Sequence, residues 1–371
     1  MTKIFFAVVV LAAVLAGGQL AAHPDKVATA ATPLPAELPR IQSSELRIEF
    51  DKNMRSRVVA RFKGKEIPLG AFSASETVKG SDHSWTDFAL ASQSREHVSD
   101  NFGNGEKLTI AGTSGVLRKT VSVTIYDDAP NLAVFDVTYT NVGKPKLEIV
   151  EWNNNAYTID ARNVGTQVPF WSYQSGSYEK RPNWVLPLHA GFSQQNYLGM
   201  NDTDYGGGTP IVDVWRKDVG LGVGLLETKP RLISLPVSMP NASEARVAVQ
   251  YHHDLEVLPD ESIHTFRSFV AVHNGDYFQT LLTFRKFMSK QGFQMAAAPD
   301  GGFGAIWCAW GYGRDFKPQQ VYDSLPTVKK MGFKWVTLDD GWQNNYGDWQ
   351  LDLKKFPRGD ADIKAMVDRI H

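Results

Sequence analysis

The 371-residue chain has a single cysteine, Cys308, so it has no internal disulfide framework and no cysteine-rich zinc or iron-sulfur site. It also lacks an excess of either charge sign. With 39 Lys+Arg against 40 Asp+Glu, the net charge of -1 gives none of the broad basic field that nucleic-acid binding draws on. Only one long apolar run occurs, Ile4 to Ala16, preceded by Lys3 and followed by Gly17, Gly18, Ala21 and Ala22. It is too short to span a bilayer as a helix, and its order is that of a secretory signal. The expectation is therefore a signal peptide at 1–22, a Pro/Ala/Thr linker at 23–40 and a mature protein exported to the periplasm or beyond, with no membrane anchor after cleavage. A composition with 43% hydrophobic residues is enough for a large core.

From 41 to 275 the hydrophobic pattern has period two. Leu46, Ile48 and Phe50 alternate with charged residues, and Val121, Val123 and Ile125 with polar ones. Phe135, Val137 and Tyr139, then Val247, Val249 and Tyr251, repeat the pattern. Such alternation puts one face of each strand on a core and the other in water. Turn clusters at Asn101–Gly105, Gly143–Pro145 and Asn201–Gly208 punctuate it, and no helical period interrupts it. The reading is a large antiparallel β-sandwich.

The period then changes. After Asp276, which serves as an N-cap, Tyr277, Leu281, Phe284 and Met288 recur at helical spacing, and Gly292 offers a stop. Residues 276–300 read as a connecting helix and linker. The last segment, 301–371, reads as strand, helix, strand, helix. Phe303 to Trp307 is a short apolar run of the kind covered on both faces in a parallel sheet. Pro318 opens a helix carrying Val321, Leu325 and Val328, with Pro326 as an internal kink. Lys334 to Leu338 is the second strand, within which Trp335 is expected to pack. Asp362 to His371, with Ile363, Met366, Val367 and Ile370, starts the second helix. Short joints between these elements imply a parallel sheet or barrel.

Asp339 and Asp340 end that second strand, where α/β folds build their sites, and Gly341 breaks it. Trp307, Trp310, Trp335, Trp342 and Trp349 are half of the chain's ten tryptophans. Carboxylates that accept hydroxyl hydrogens, beside flat rings that cover the C–H face of a sugar, describe a carbohydrate pocket. Two plainer readings stand beside it. Asp before Gly is common turn chemistry, and each tryptophan taken singly is core material. His252-His253-Asp254 has no third ligand spaced to make a metal site, and adjacent strand histidines point to opposite faces. Asp202-Thr-Asp204-Tyr-Gly206 begins like a calcium loop but lacks its remaining ligands, and Gly206–Gly208 leads into no phosphate-binding helix. Neither a metal nor a cofactor is expected.

Four motifs in order, Trp310-Gly-Tyr-Gly-Arg-Asp-Phe316, Met331-Gly-Phe-Lys-Trp-Val-Thr-Leu-Asp-Asp-Gly-Trp342-Gln343, Gly347-Asp-Trp349 with Lys355-Phe-Pro-Arg-Gly359, and Met366-Val-Asp-Arg-Ile-His371, resemble the opening of the catalytic barrel of glycoside hydrolase family 36, the α-galactosidase/melibiase group. The resemblance covers the last part of the chain only. It implies a multidomain β plus α/β fold, a large β-sandwich followed by the first two βα units of a (β/α)8 barrel. Asp339 and Asp340 match the family's paired aspartates that hold galactosyl hydroxyls, Trp310 matches a tryptophan that walls the sugar site, and Trp342 shapes the pocket. Ala309-Trp310-Gly311 stands where Ser-Trp-Glu or a similar triplet is common, a departure that bears on which sugar is taken. The implied chemistry is retaining hydrolysis of an α-galactoside, with α-N-acetylgalactosaminide or α-glucoside as alternatives. The implied nucleophile and acid/base sit on the fourth and sixth barrel strands, so no catalytic residue is assigned within 1–371 and the chain is expected to be an N-terminal piece of a longer enzyme. The other reading is a noncatalytic carbohydrate-binding sandwich.

Overall fold

A computed structural model describes residues 37–162, 169–175, 183–198, 208–294 and 296–371. The expected signal peptide, nearly all of the linker, the Asp202–Gly206 stretch and part of the Gly206–Gly208 run lie outside them.

The chain divides into two compact units, 1–292 and 293–371. Among the described residues of the first unit every strand pairing is antiparallel. A ten-stranded sheet runs from its edge strand Val185–Pro187 through Trp171–Tyr173, Ile211–Arg216, Val219–Leu225, Ser268–His273, Leu132–Asn141, Leu117–Tyr126 and Gly103–Ser114 to Ala89–Asp100, with Ser262–His264 added beside Leu132–Asn141. An eight-stranded sheet is centred on the long pair Leu147–Asp160 and Glu244–Val257, and four short strands from Arg40 to Pro68 form a third. The period-two reading bears out where it was made. Leu46, Ile48 and Phe50 are buried between half-buried neighbours. Phe135 lies opposite Val123 and Val137 opposite Val121, so like faces the same core. One core spans the sheets, with Phe50, Phe88, Phe135, Trp152 and Phe170 among its largest members.

The alternation has one position that breaks its own rule. Lys119, opposite Tyr139, occupies an inward slot between Leu117 and Val121 and is fully buried. Its ammonium donates to the Glu76 carbonyl at 3.0 Å and lies 4.5 Å from the centre of the Phe88 ring. Those contacts replace water for a charge that the interior otherwise disfavours.

Helix α1 (Phe278–Lys290) belongs to the first unit. It caps one residue later than expected. Tyr277 is the capping position, and Asp276 contributes by accepting the Phe278 N–H at 3.0 Å. The predicted stripe Tyr277, Leu281, Phe284 and Met288 is half-buried, while Thr280, Thr283 and Phe287 beside it are the fully buried residues. The helix covers the outer face of the ten-stranded sheet, where Phe287 joins Phe102, Tyr126, Leu132 and Phe269 in a second core. Buried threonines fit because they are hydrogen-bonded: Thr280 donates to Asp213 Oδ2 at 2.5 Å, and the buried His273 sits 3.0 Å from the same carboxylate. Two glycines of the underlying strand make room. A Cβ at Gly220 meets the His273 ring at 2.0 Å, and one at Gly222 meets Thr280 Cγ2 at 2.4 Å.

The second unit has the expected order with shorter strands. Ile306–Cys308 pairs in parallel with Trp335–Thr337, in the register Ile306 to Trp335 and Cys308 to Thr337. Helix α2 (Pro318–Lys330) follows the first strand, and α3 (Asp360–Ile370) follows the second after a long turn region. Pro318 is in the first turn, where a missing N–H is harmless, and Pro326 lies inside the helix without ending it. Two expectations are corrected. The first strand starts at Ile306, not Phe303, whose ring is 94% exposed in the preceding turn. Trp335 does not pack: it is 47% exposed, and its indole N–H donates to the Gly301 carbonyl at 2.8 Å. Within 293–371 these strands lack cover on that face, so an apolar run does not mean burial. The unit's core is Ala309, Phe316, Val321, Phe356 and Met366.

Candidate active site

The two aspartates close the second parallel strand in a tight turn. Asp339 takes φ +60° and Gly341 φ +96°. At Gly341 the backbone touches another segment as well, since a Cβ there meets the Arg314 carbonyl oxygen at 2.1 Å. Only glycine satisfies both demands. Lys355 fixes the crossing by donating to the carbonyls of Arg314 at 2.5 Å and Gly341 at 2.8 Å, with its ammonium 4.6 Å from the centre of the Phe316 ring.

This turn aims the two carboxylates at different partners. Asp340 is saturated. Its Oδ1 accepts Arg314 Nη1 at 2.8 Å and Gln343 Nε2 at 2.8 Å, and its Oδ2 accepts the Tyr346 hydroxyl at 2.6 Å and the same Arg314 nitrogen at 2.9 Å. The Arg314 guanidinium in turn lies 4.5 Å from the centre of the Tyr346 ring. The Tyr346 hydroxyl bond and the nearby Arg314 charge hold the Asp340 carboxyl below the usual carboxylate range, and the same bond raises the Tyr346 phenol. Asp339 is differently placed. Its Oδ1 takes the Asp340 backbone N–H at 2.7 Å, and its Oδ2 takes only the weak donor Cys308 Sγ at 3.2 Å. Acceptor capacity is left over on Asp339 and not on Asp340.

The thiol of Cys308 is therefore part of the same surface. The Trp310 backbone N–H favours its thiolate, but burial and the adjacent Asp339 outweigh that and hold the thiol above its ordinary value. Trp310 itself is on a single 3-10 turn, Ala309–Tyr312, directly after the first strand and is 49% exposed. Trp342 is half-buried and faces Trp349, with ring centres 6.2 Å apart and planes 21° apart. The structure thus sets the four sequence candidates, Asp339, Asp340, Trp310 and Trp342, on the ends of two adjacent parallel strands and the turns that follow them. Sequence reasoning passed over Arg314, Gln343, Tyr346 and Lys355. Arg314, Gln343 and Lys355 lie inside the family-like motifs, and the available signal for Arg314 was an arginine in a glycine-rich turn near an acidic pair. Among the described residues no three His, Cys, Asp or Glu side chains gather as metal ligands, and His252 instead lies 3.3 Å from Glu151 across its strand pair.

The fold has known counterparts. An α-N-acetylgalactosaminidase from Bifidobacterium bifidum superposes with a TM-score of 0.58 at 12% identity, over 90% of this chain and 57% of that one. A glycoside hydrolase family 36 α-galactosidase from Geobacillus stearothermophilus, solved with raffinose, superposes with a TM-score of 0.52 at 13% identity, over 90% and 55%. The chain shares the fold of the matching part of these structures. In sequence it is 26% identical over 351 residues to the A type blood α-D-galactosamine galactosaminidase of Flavonifractor plautii, covering 89% of this chain and 31% of that protein. No family model matches. The chain thus spans about a third of the curated relative and about half of the solved structures.

Proposed function

We propose that the chain is the N-terminal part of an exported glycoside hydrolase acting on terminal α-galactosides. In this reading 1–22 is the export signal, 41–275 the sandwich, and 301–371 the first two βα units of a (β/α)8 barrel. Asp339 and Asp340 face the glycone, with Trp310 as a wall and Trp342 shaping the floor. The observation that carries the reading is the unequal carboxylate pair at the tip of a parallel strand. Asp340 is spent on Arg314, Gln343 and Tyr346 and stiffens the turn. Asp339 keeps acceptor capacity for a sugar hydroxyl. A charged acceptor aimed at two hydroxyls distinguishes axial from equatorial by direction. Hydrolysis with retention further needs a nucleophile and an acid/base about 5 Å apart, which this reading places on later strands.

The test uses two proteins. The 371-residue chain is expected to leave an aryl α-galactoside intact. A gene product extending through all eight strands is expected to hydrolyse it, with Asp339→Asn lowering kcat/KM roughly 10- to 100-fold, the loss of one hydrogen bond to a charged group. Turnover by the short chain that vanishes in Asp339→Asn sinks the assignment of the chemistry to later strands. Faster turnover of the aryl α-N-acetylgalactosaminide or α-glucoside by the long product moves the specificity to that sugar.

A further inference from the structure

At one edge of the ten-stranded sheet the sandwich collects aromatic rings that its core does not use. Strand Trp171–Tyr173 runs between Val185–Pro187 and Ile211–Arg216, with Trp171 opposite Trp215 and Tyr173 opposite Val185. The start of α1 adds Tyr277 and Phe278. Tyr173 and Tyr277 stack in parallel, centres 4.7 Å apart and planes 1° apart, and Trp215 lies 5.6 Å from Tyr277. Beside this stack is a cavity of about 370 Å³ lined by Tyr173, Asn183, Trp184, Val185 and Tyr277. The Trp184 side chain stands 56% exposed at its mouth although its backbone is fixed, its carbonyl accepting the Gln174 N–H at 2.7 Å. The Tyr173 hydroxyl is held in turn by Thr209 at 3.1 Å.

We propose that this cleft binds a neutral hexopyranosyl unit, stacked on the Trp184 indole and addressed by the Asn183 amide. Three features choose that ligand. Among the described residues the lining has no charged side chain, so these residues offer a ligand rings, an amide and phenols rather than an ion pair. It mixes flat rings with an amide and a phenol, the pairing that covers the C–H face of a pyranose while satisfying its hydroxyls. The volume lies in the range of small-molecule sites, and the rings sit on a strand (Tyr173) or directly before a strand or helix (Trp184, Tyr277). All of the lining residues belong to the first unit, so the binding is independent of the Asp339 turn and of the hydrolase reading.

The experiment is a titration of the full 371-residue chain with raffinose and with methyl α-galactoside, followed by calorimetry and by the indole and side-chain amide resonances of Trp184 and Asn183. Weak saturable binding, with Kd of about 1 mM or lower, is expected, together with shifts at both resonances. Trp184→Ala is expected to weaken it at least tenfold and Trp184→Phe to restore part of it, as read at the Asn183 amide. Because Trp184 is largely exposed, both variants should keep the parent melting temperature. Three outcomes overturn the proposal: no saturable saccharide binding, equal binding by Trp184→Ala, or shifts with an apolar probe and none with a saccharide. Each of these leaves the hydrolase reading standing.

Discussion

The two units of this chain carry a similar share of hydrophobic residues and bury them very differently. The sandwich closes over its hydrophobic surface on both sides of the ten-stranded sheet, with one core between sheets and another beneath α1. Ser268–His273 is buried along its whole length as a result. The second unit holds a core of five buried residues, and leaves Phe303, Ile306, Trp310, Met331 and Trp335 in contact with water. Alternation in an antiparallel sheet tells each residue which side is wet, so local sequence decides burial. A parallel strand is apolar because neighbours on both faces cover it, so its burial is decided by elements far along the chain.

Breaking the sandwich should need a core truncation. Trp152 is buried between Tyr251 and Phe266, each 5.3 Å away by ring centre. Trp152→Ala is expected to lower the stability of the main unfolding transition by about 3–5 kcal/mol in denaturant titration. A loss under 1 kcal/mol means the first unit is not the cooperative block described.

A second test uses the buried lysine. Burial pushes the Lys119 ammonium down to about 8 from 10.5. Between those values the unfolded chain holds a proton that the folded chain has released, so stability rises with pH across that window. The effect is on the order of 3 kcal/mol in total. The slope from pH 8 to 9.5 in the parent minus that in Lys119→Met isolates it, since the buried Tyr139 and Tyr157 are shared by both. Identical slopes in the two proteins dispose of the claim.

The second unit is probed at its turn. Gly341→Ala introduces strain of roughly 1–3 kcal/mol at a positive φ. It is expected to speed amide exchange in Trp335–Thr337 while leaving the main transition where it was. Slowed exchange there, or a shifted main transition, contradicts the separation of the two units. The smallest effect is Tyr346→Phe, which removes a hydrogen bond from Asp340. The Asp340 carboxyl should then titrate at higher pH, and the stability its ionisation lends is lost earlier as pH falls. A carboxyl carbon NMR titration reads this directly, and an unmoved midpoint means the Arg314 charge alone sets it.

The sequence made the sandwich legible because Leu46, Ile48 and Phe50, or Phe135 and Val137, each report their own face. Lys119 escaped that reading. Its inward slot calls for an apolar residue, and what replaces water there, the Glu76 carbonyl and the Phe88 ring, comes from other segments. The acidic pair was visible as a strand-end motif, but adjacency in sequence hid how unlike the two residues are. Asp340 acquires Arg314 from a turn 26 residues earlier, and no spacing rule connects them. Trp335 was misread for the reason that separates the units, since a run of apolar residues was taken as its own cover.

The junction of α1 with the sheet bears on how such sequences are cut and joined. Thr280 and His273 meet on Asp213, and Gly220 and Gly222 are bare so that they can. Burial opposes charge on His273, and the Asp213 carboxylate beside it outweighs burial and raises the imidazole above its ordinary value. A gene fusion that splits the protein at Asp276 strips the helix away, floods this pair with water and opens a glycine-lined furrow along the sheet. The recombination point that keeps the sandwich whole falls after Gly292, which makes the helix part of the cargo when this module is transplanted to a new partner.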